Sequence, residues 1–112
     1  MTISQKILQF YRSLAPPENL PLEVVVLNPY KDARAMELTT KFYQKYYNDT
    51  KERITLFGIN PGRFGGGVTG VPFSDPKHLQ VNCDLQNPFD KRTELSSTFI
   101  YEMIDACGGP TK

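Results

Sequence analysis

Few side chains in this sequence of 112 residues could do chemistry. It has one histidine, His78, and two cysteines, Cys83 and Cys107. Their spacing fits no metal site, and one histidine cannot complete a ligand set. Both thiols read as small apolar residues in a reducing compartment. Attention falls instead on Asn60, within the stretch Ile54 to Phe73, ITLFGINPGRFGGGVTGVPF, which holds six of the chain's eight glycines. An amide cannot serve as a general base, but it both donates and accepts hydrogen bonds. Gly62 lets backbone N–H groups approach a ligand closely. Phe73 offers a flat apolar face to a planar ring. Arg63, Lys77 and His78 are candidates for phosphate contacts, or equally solvated surface residues. The plain alternatives are that Asn60 caps the turn before Pro61 and that Phe73 is ordinary core.

Phosphate chemistry is the first reading to weigh. Gly65 to Gly70, GGGVTG, matches G-x-G-x-x-G letter for letter. That motif needs its first glycine directly after a strand and a helix opening within it. Here about five residues separate the expected strand end from Gly65, and Val71-Pro72-Phe73 follows where a helix should run. No Gly-Lys-Ser/Thr is present, which excludes a Walker loop. A simple glycine turn is the second reading, but long loops between a strand and a helix tend to be functional.

The elements that must position this loop are legible as patterns. Thr2 to Leu14 has helical spacing, with Thr2 or Ser4 as cap, and Ala15-Pro16-Pro17 stops it. Glu23 to Leu27, EVVVL, is β-branched and predicts a strand. Ala33 to Tyr47 predicts a second helix that packs through Ala35, Met36, Phe42, Tyr43 and Tyr46. Arg53 to Ile59, nearly all apolar, predicts a strand covered on both faces. Strand, helix and strand in about 35 residues is the size of a right-handed βαβ unit. Asp75-Pro76 predicts an N-cap and first turn of a short helix to about Asn82. Leu85 to Arg92 reads as a loop. Glu94 to Cys107 predicts a helix capped by Thr93, packed through Leu95, Phe99, Ile100, Met103 and Ile104, and ended by Gly108-Gly109-Pro110.

Composition narrows the class. The apolar fraction of 39% and aromatic fraction of 12% support a core rather than a disordered chain. A net charge of +1 neither demands nor forbids nucleic acid, so any such contact needs a local patch. No apolar run approaches the ~20 residues that span a bilayer, and no secretory signal is visible. The expectation is a cytoplasmic protein with no membrane partner.

The run Gly58-Ile59-Asn60-Pro61-Gly62-Arg63-Phe64-Gly65, continuing to Thr69-Gly70-Val71-Pro72-Phe73, resembles the first motif of the uracil-DNA glycosylase superfamily. It is most similar to the single-strand-selective monofunctional branch and its bacterial relatives. The resemblance covers roughly residues 20 to 107. It implies an α/β fold, three layers around a parallel sheet (α/β/α), with residues 1–112 as its N-terminal half. It implies hydrolysis of the N-glycosidic bond of uracil, or a related damaged pyrimidine, in DNA, as in base excision repair. Such enzymes act on a nucleotide flipped out of the stack. Asn60 would hold the attacking water. Ile59, Pro61, Gly62 and Gly66 would wall the base, and Phe73 would stack on it. Arg63 and Lys77 remain candidates for the DNA backbone. No cofactor and no metal are implied. The partner would be uracil-containing DNA, possibly single-stranded.

The family pattern also has an asparagine that reads the base edge and a histidine-proline-serine loop, and neither is in this sequence. His78 sits in Lys-His-Leu instead. The expectation is that this chain alone releases no uracil. The alternatives are a non-catalytic fragment that binds a nucleobase or nucleic acid and, further off, a nucleotide-phosphate protein.

Overall fold

A computed structural model describes residues 1–111. Among the described residues five α-helices run in chain order: α1 (Ile3–Ser13), α2 (Ala33–Tyr46), α3 (Gly66–Thr69), α4 (Pro76–Val81) and α5 (Leu95–Ala106). A 3-10 turn at Pro29–Lys31 leads into α2.

Local chemistry explains where the helices start. Thr2 and Gln5 form a reciprocal capping box, so Thr2 rather than Ser4 begins α1. The first amides of α1 are satisfied by the chain beyond α2, as Ile3 donates to the Asp49 carbonyl at 2.7 Å and Ser4 to that of Tyr47 at 2.8 Å. Asp32 caps α2 through the Arg34 amide at 2.8 Å. Asp75 caps α4, with Pro76 in the first turn, as its sequence predicts. The N-cap of α5 is Glu94, not Thr93. Gly109 closes that helix through the Ile104 carbonyl at 2.9 Å, with Gly108 and Gly109 at positive φ.

The core gathers Ala35 and Leu38 of α2, Val71, Leu79, Cys83, Leu85, Phe89 and Tyr101, with Phe42, Tyr46, Val68 and Ile104 packed against it. A tyrosine group joins α1 to α2. The Tyr11 ring stacks on Tyr30 with centroids 4.0 Å apart, and its hydroxyl lies 3.1 Å from that of Tyr43. Burial pushes the phenols of Tyr30 and Tyr43 far above their ordinary titration range, and the hydrogen bond to Tyr11 adds to it.

The expected three-layer α/β/α fold with a parallel sheet is not what the structure shows. Among the described residues there is no strand; the chain is helical, and residues 23–27 and 53–59 are irregular. The βαβ unit falls with them. The physical reason is that apolar, β-branched sequence expresses a preference, whereas a strand exists only by pairing its backbone with another. A helix closes its hydrogen bonds within itself and needs no such partner. The runs expected to be buried on both faces are instead exposed, with Val25 at 78%, Ile54 at 93% and Phe57 at 92%. Helix α5 departs in the same way. Leu95, Phe99 and Met103 face outward, while Ser97 and Tyr101 are buried. Cys83 is core as expected, but Cys107 is exposed.

Candidate functional site

The loop after residue 58 is folded more tightly than its glycine content predicts. Gly65 to Gly70 contains the single turn α3, with four residues, ended by Gly70 in the left-handed region at φ 81°. Thr69 folds back on the turn through the Gly65 carbonyl at 3.2 Å. From α2, the Thr39 hydroxyl donates to the Thr69 carbonyl at 2.9 Å. Tyr30 donates to the Gly70 carbonyl at 2.8 Å. The loop is therefore tied to the helical core from behind, and its front faces a cleft of about 680 Å³.

That cleft brings Ile59, Asn60, Pro61, Gly62, Gly66 and Phe73 together. Asn60 is exposed, and its amide nitrogen donates to the Pro61 carbonyl at 3.2 Å. This local bond fixes the amide, with its carbonyl oxygen as the remaining acceptor. Phe73 is not core. It is 36% exposed and sits at φ 57°, a region a bulky side chain rarely enters. Its ring lies over Gly58, where an added Cβ would come within 3.0 Å of the ring's Cζ. A strained aromatic held over a glycine at a cleft is the kind of outlier that clusters at functional sites.

The charged candidates lie elsewhere. Arg63 is exposed, with its guanidinium over the Phe64 ring at 4.7 Å, and Lys77 is exposed on α4. His78 is turned inward. Its Nδ1 lies 2.8 Å and 2.9 Å from the two carboxylate oxygens of Asp75, and its ring stacks on Tyr101. No group of three or more His, Cys, Asp or Glu among the described residues could hold a metal ion.

Two residues, Asp75 behind the cleft and Glu94 at it, do more than the helix-end roles their sequence predicts. Asp75 is fully buried and is more than a cap: besides His78 it accepts from the Glu94 amide at 3.0 Å. Burial pushes its carboxyl up, but the bonds from the His78 and Glu94 amides and from the His78 and Ser97 side chains outweigh this and hold it below the usual carboxylate range. Glu94 lines the cleft, and its carboxylate accepts from the Phe64 amide at 2.8 Å. A Cβ on Gly62 would collide with that carboxylate, so the Glu94 side chain occupies the space the glycine leaves and would have to shift for a larger residue. No sequence signal marks Glu94, because Thr93, a usual cap, stands beside it and only the structure places Glu94 at the N-cap.

No protein-family model matches the chain. Comparison with solved structures nonetheless shows the resemblance to the uracil-DNA glycosylase superfamily that the motif carries. One structure it is similar to is the crystal structure of wild-type SMUG2 of Pedobacter heparinus, at 43% sequence identity and a TM-score of 0.90. The match covers 99% of this chain and 48% of that one, so the chain spans about half the length of SMUG2. The relationship is thus DNA-glycosylase-like, and it runs far beyond the motif.

Proposed function

We propose that this chain supplies the water-holding and base-holding part of a DNA glycosylase site. The reaction is hydrolytic removal of uracil, or a related damaged pyrimidine, from DNA. The observation that carries the reading is the convergence of Asn60, Gly62 and Phe73 on one cleft, with Phe73 held at φ 57°. In the reaction the glycosidic C–N bond breaks and its electron pair leaves with the base. Water then adds to the anomeric carbon, and the proton it loses passes through solvent to the departed base anion, giving the neutral base. Asn60 cannot take that proton, so its part is to orient the water through its carbonyl oxygen. Ile59, Pro61, Gly62 and Gly66 wall the base, and Phe73 stacks on it, a contact worth about 1–3 kcal/mol per base. Arg63 and Lys77, both exposed, would be the residues that meet backbone phosphates.

The chain spans about half of SMUG2, which favours binding without turnover when it acts alone. The test is titration of the chain with a single-stranded oligonucleotide carrying one uracil, against the same oligonucleotide with cytosine. Asn60 and Gly62 amide signals should shift with the uracil strand and not with the other. Equal response to both strands, or none to either, would count against a base site.

A further inference from the structure

We propose that Glu94 is a positioning residue for the Asn60 loop: its carboxylate, with its backbone anchored on Asp75, holds the Gly62–Phe64 backbone where Asn60 meets the cleft. The inference rests on the reading of that cleft as a base site.

The geometry has three parts. Glu94 is the N-cap of α5, yet its side chain makes no cap bond to its own helix. It reaches across 30 residues of sequence to the Phe64 amide at 2.8 Å instead. A helix that leaves its cap unmade while Thr93 stands next in line has the side chain committed elsewhere. Second, the glycines fit it. Gly62 leaves the space the carboxylate fills, and a Cβ on Gly65 would press within 2.9 Å of Glu94 Cγ. Third, Glu94 is not free to drift. Its amide donates to buried Asp75 at 3.0 Å, and Asp75 is fixed by the His78 amide at 2.7 Å. A rigid path thus runs from α4 through Asp75 and Glu94 to the loop only four residues past Asn60.

The guanidinium groups of Arg63 and Arg92 both lie over the Phe64 ring, at 4.7 Å and 4.4 Å. Glu94 therefore bonds the backbone of the residue whose ring gathers two positive charges. An amide bonded to a carboxylate is held more tightly than one bonded to a neutral oxygen.

The experiment compares the whole chain, labelled with nitrogen-15, as wild type, E94A and E94Q. In E94A the Phe64 amide should exchange with solvent about tenfold faster or more. The Asn60 side-chain and Gly62 signals should move, while Val71 and Leu79 in the core stay. E94Q keeps an acceptor oxygen. It should keep most of the Phe64 protection, with that amide proton moved upfield by the weaker neutral acceptor, and return Asn60 and Gly62 toward their wild-type positions. Affinity for the single-stranded uracil oligonucleotide should fall about tenfold in E94A and recover in E94Q. Unmoved Asn60 and Gly62 signals in a folded E94A would overturn the inference. So would an E94Q with an intact core whose Phe64 signal matches the wild type in shift and exchange. If the wild-type chain binds no uracil strand, the base-site reading fails and the role of Glu94 is decided by the amide signals alone.

Discussion

Replacing Asp75 by alanine removes one buried carboxylate that serves two elements. Loss of the α4 cap costs about 1 kcal/mol, within a usual range of about 0.5–2. The Glu94 amide loses the acceptor it now has at 3.0 Å, and an unsatisfied buried donor costs about 1–3 kcal/mol. These terms share one side chain and do not simply add. A loss of about 3 kcal/mol follows, a large part of the 5–15 kcal/mol typical of a domain. Urea unfolding followed by circular dichroism is the assay. At a slope of about 1.5 kcal/mol per molar, the midpoint should drop by about 2 M. Asp90, whose side chain is 85% exposed beside Arg92, is the control. Its replacement by alanine should change stability by about 0.5 kcal/mol at most. A midpoint for Asp75→Ala that is indistinguishable from the Asp90 control would refute the view that Asp75 ties α4 to α5 and the loop.

The same carboxyl predicts a pH dependence. Its folded-state pKa lies below the unfolded value, so its contribution is fully present above the unfolded pKa of about 3.9 and is lost as pH falls through the folded one. The wild-type midpoint should therefore fall more steeply than that of Asp75→Ala in acid, and parallel curves would contradict this. At Gly58, alanine should be tolerated with a small shift of the ring, whereas valine should displace Phe73 and weaken uracil-strand binding by about fivefold or more; unchanged affinity in Gly58→Val would count against stacking. If Arg63 meets a phosphate, Arg63→Ala should reduce the salt dependence of single-strand binding by about 0.7 in log–log slope. An unchanged slope would return Arg63 to the solvated surface.

What was legible in the sequence was what is local in it. Asn60, Gly62 and Phe73 stand within one contiguous motif, and the Asp75-Pro76 start of α4 is written in adjacent residues. The strands were not of this kind. Residues 23–27 and 53–59 have the composition of strands, but pairing is a long-range property that composition does not carry. The face of α5 misled for a related reason. Leu95, Phe99 and Met103 form the apolar stripe, yet helix burial is decided by Tyr101, whose hydroxyl lies 2.8 Å from that of Ser74, and by Ser97 beside His78. Polar side chains buried in a network read as surface until their partners are known. Glu94 escaped notice because its partner lies 30 residues away.

In the proposed reaction Asn60 holds the attacking water in a base pocket. The most direct measurement is uracil release from a single-stranded oligonucleotide by the chain joined in register to the remaining segment of the Pedobacter heparinus SMUG2 chain, with and without Asn60→Ala. The chain alone should release none, the joined chain should release uracil, and Asn60→Ala should slow it by about 10²-fold or more. An intact oligonucleotide with the joined chain, or an unchanged rate in Asn60→Ala, would contradict it.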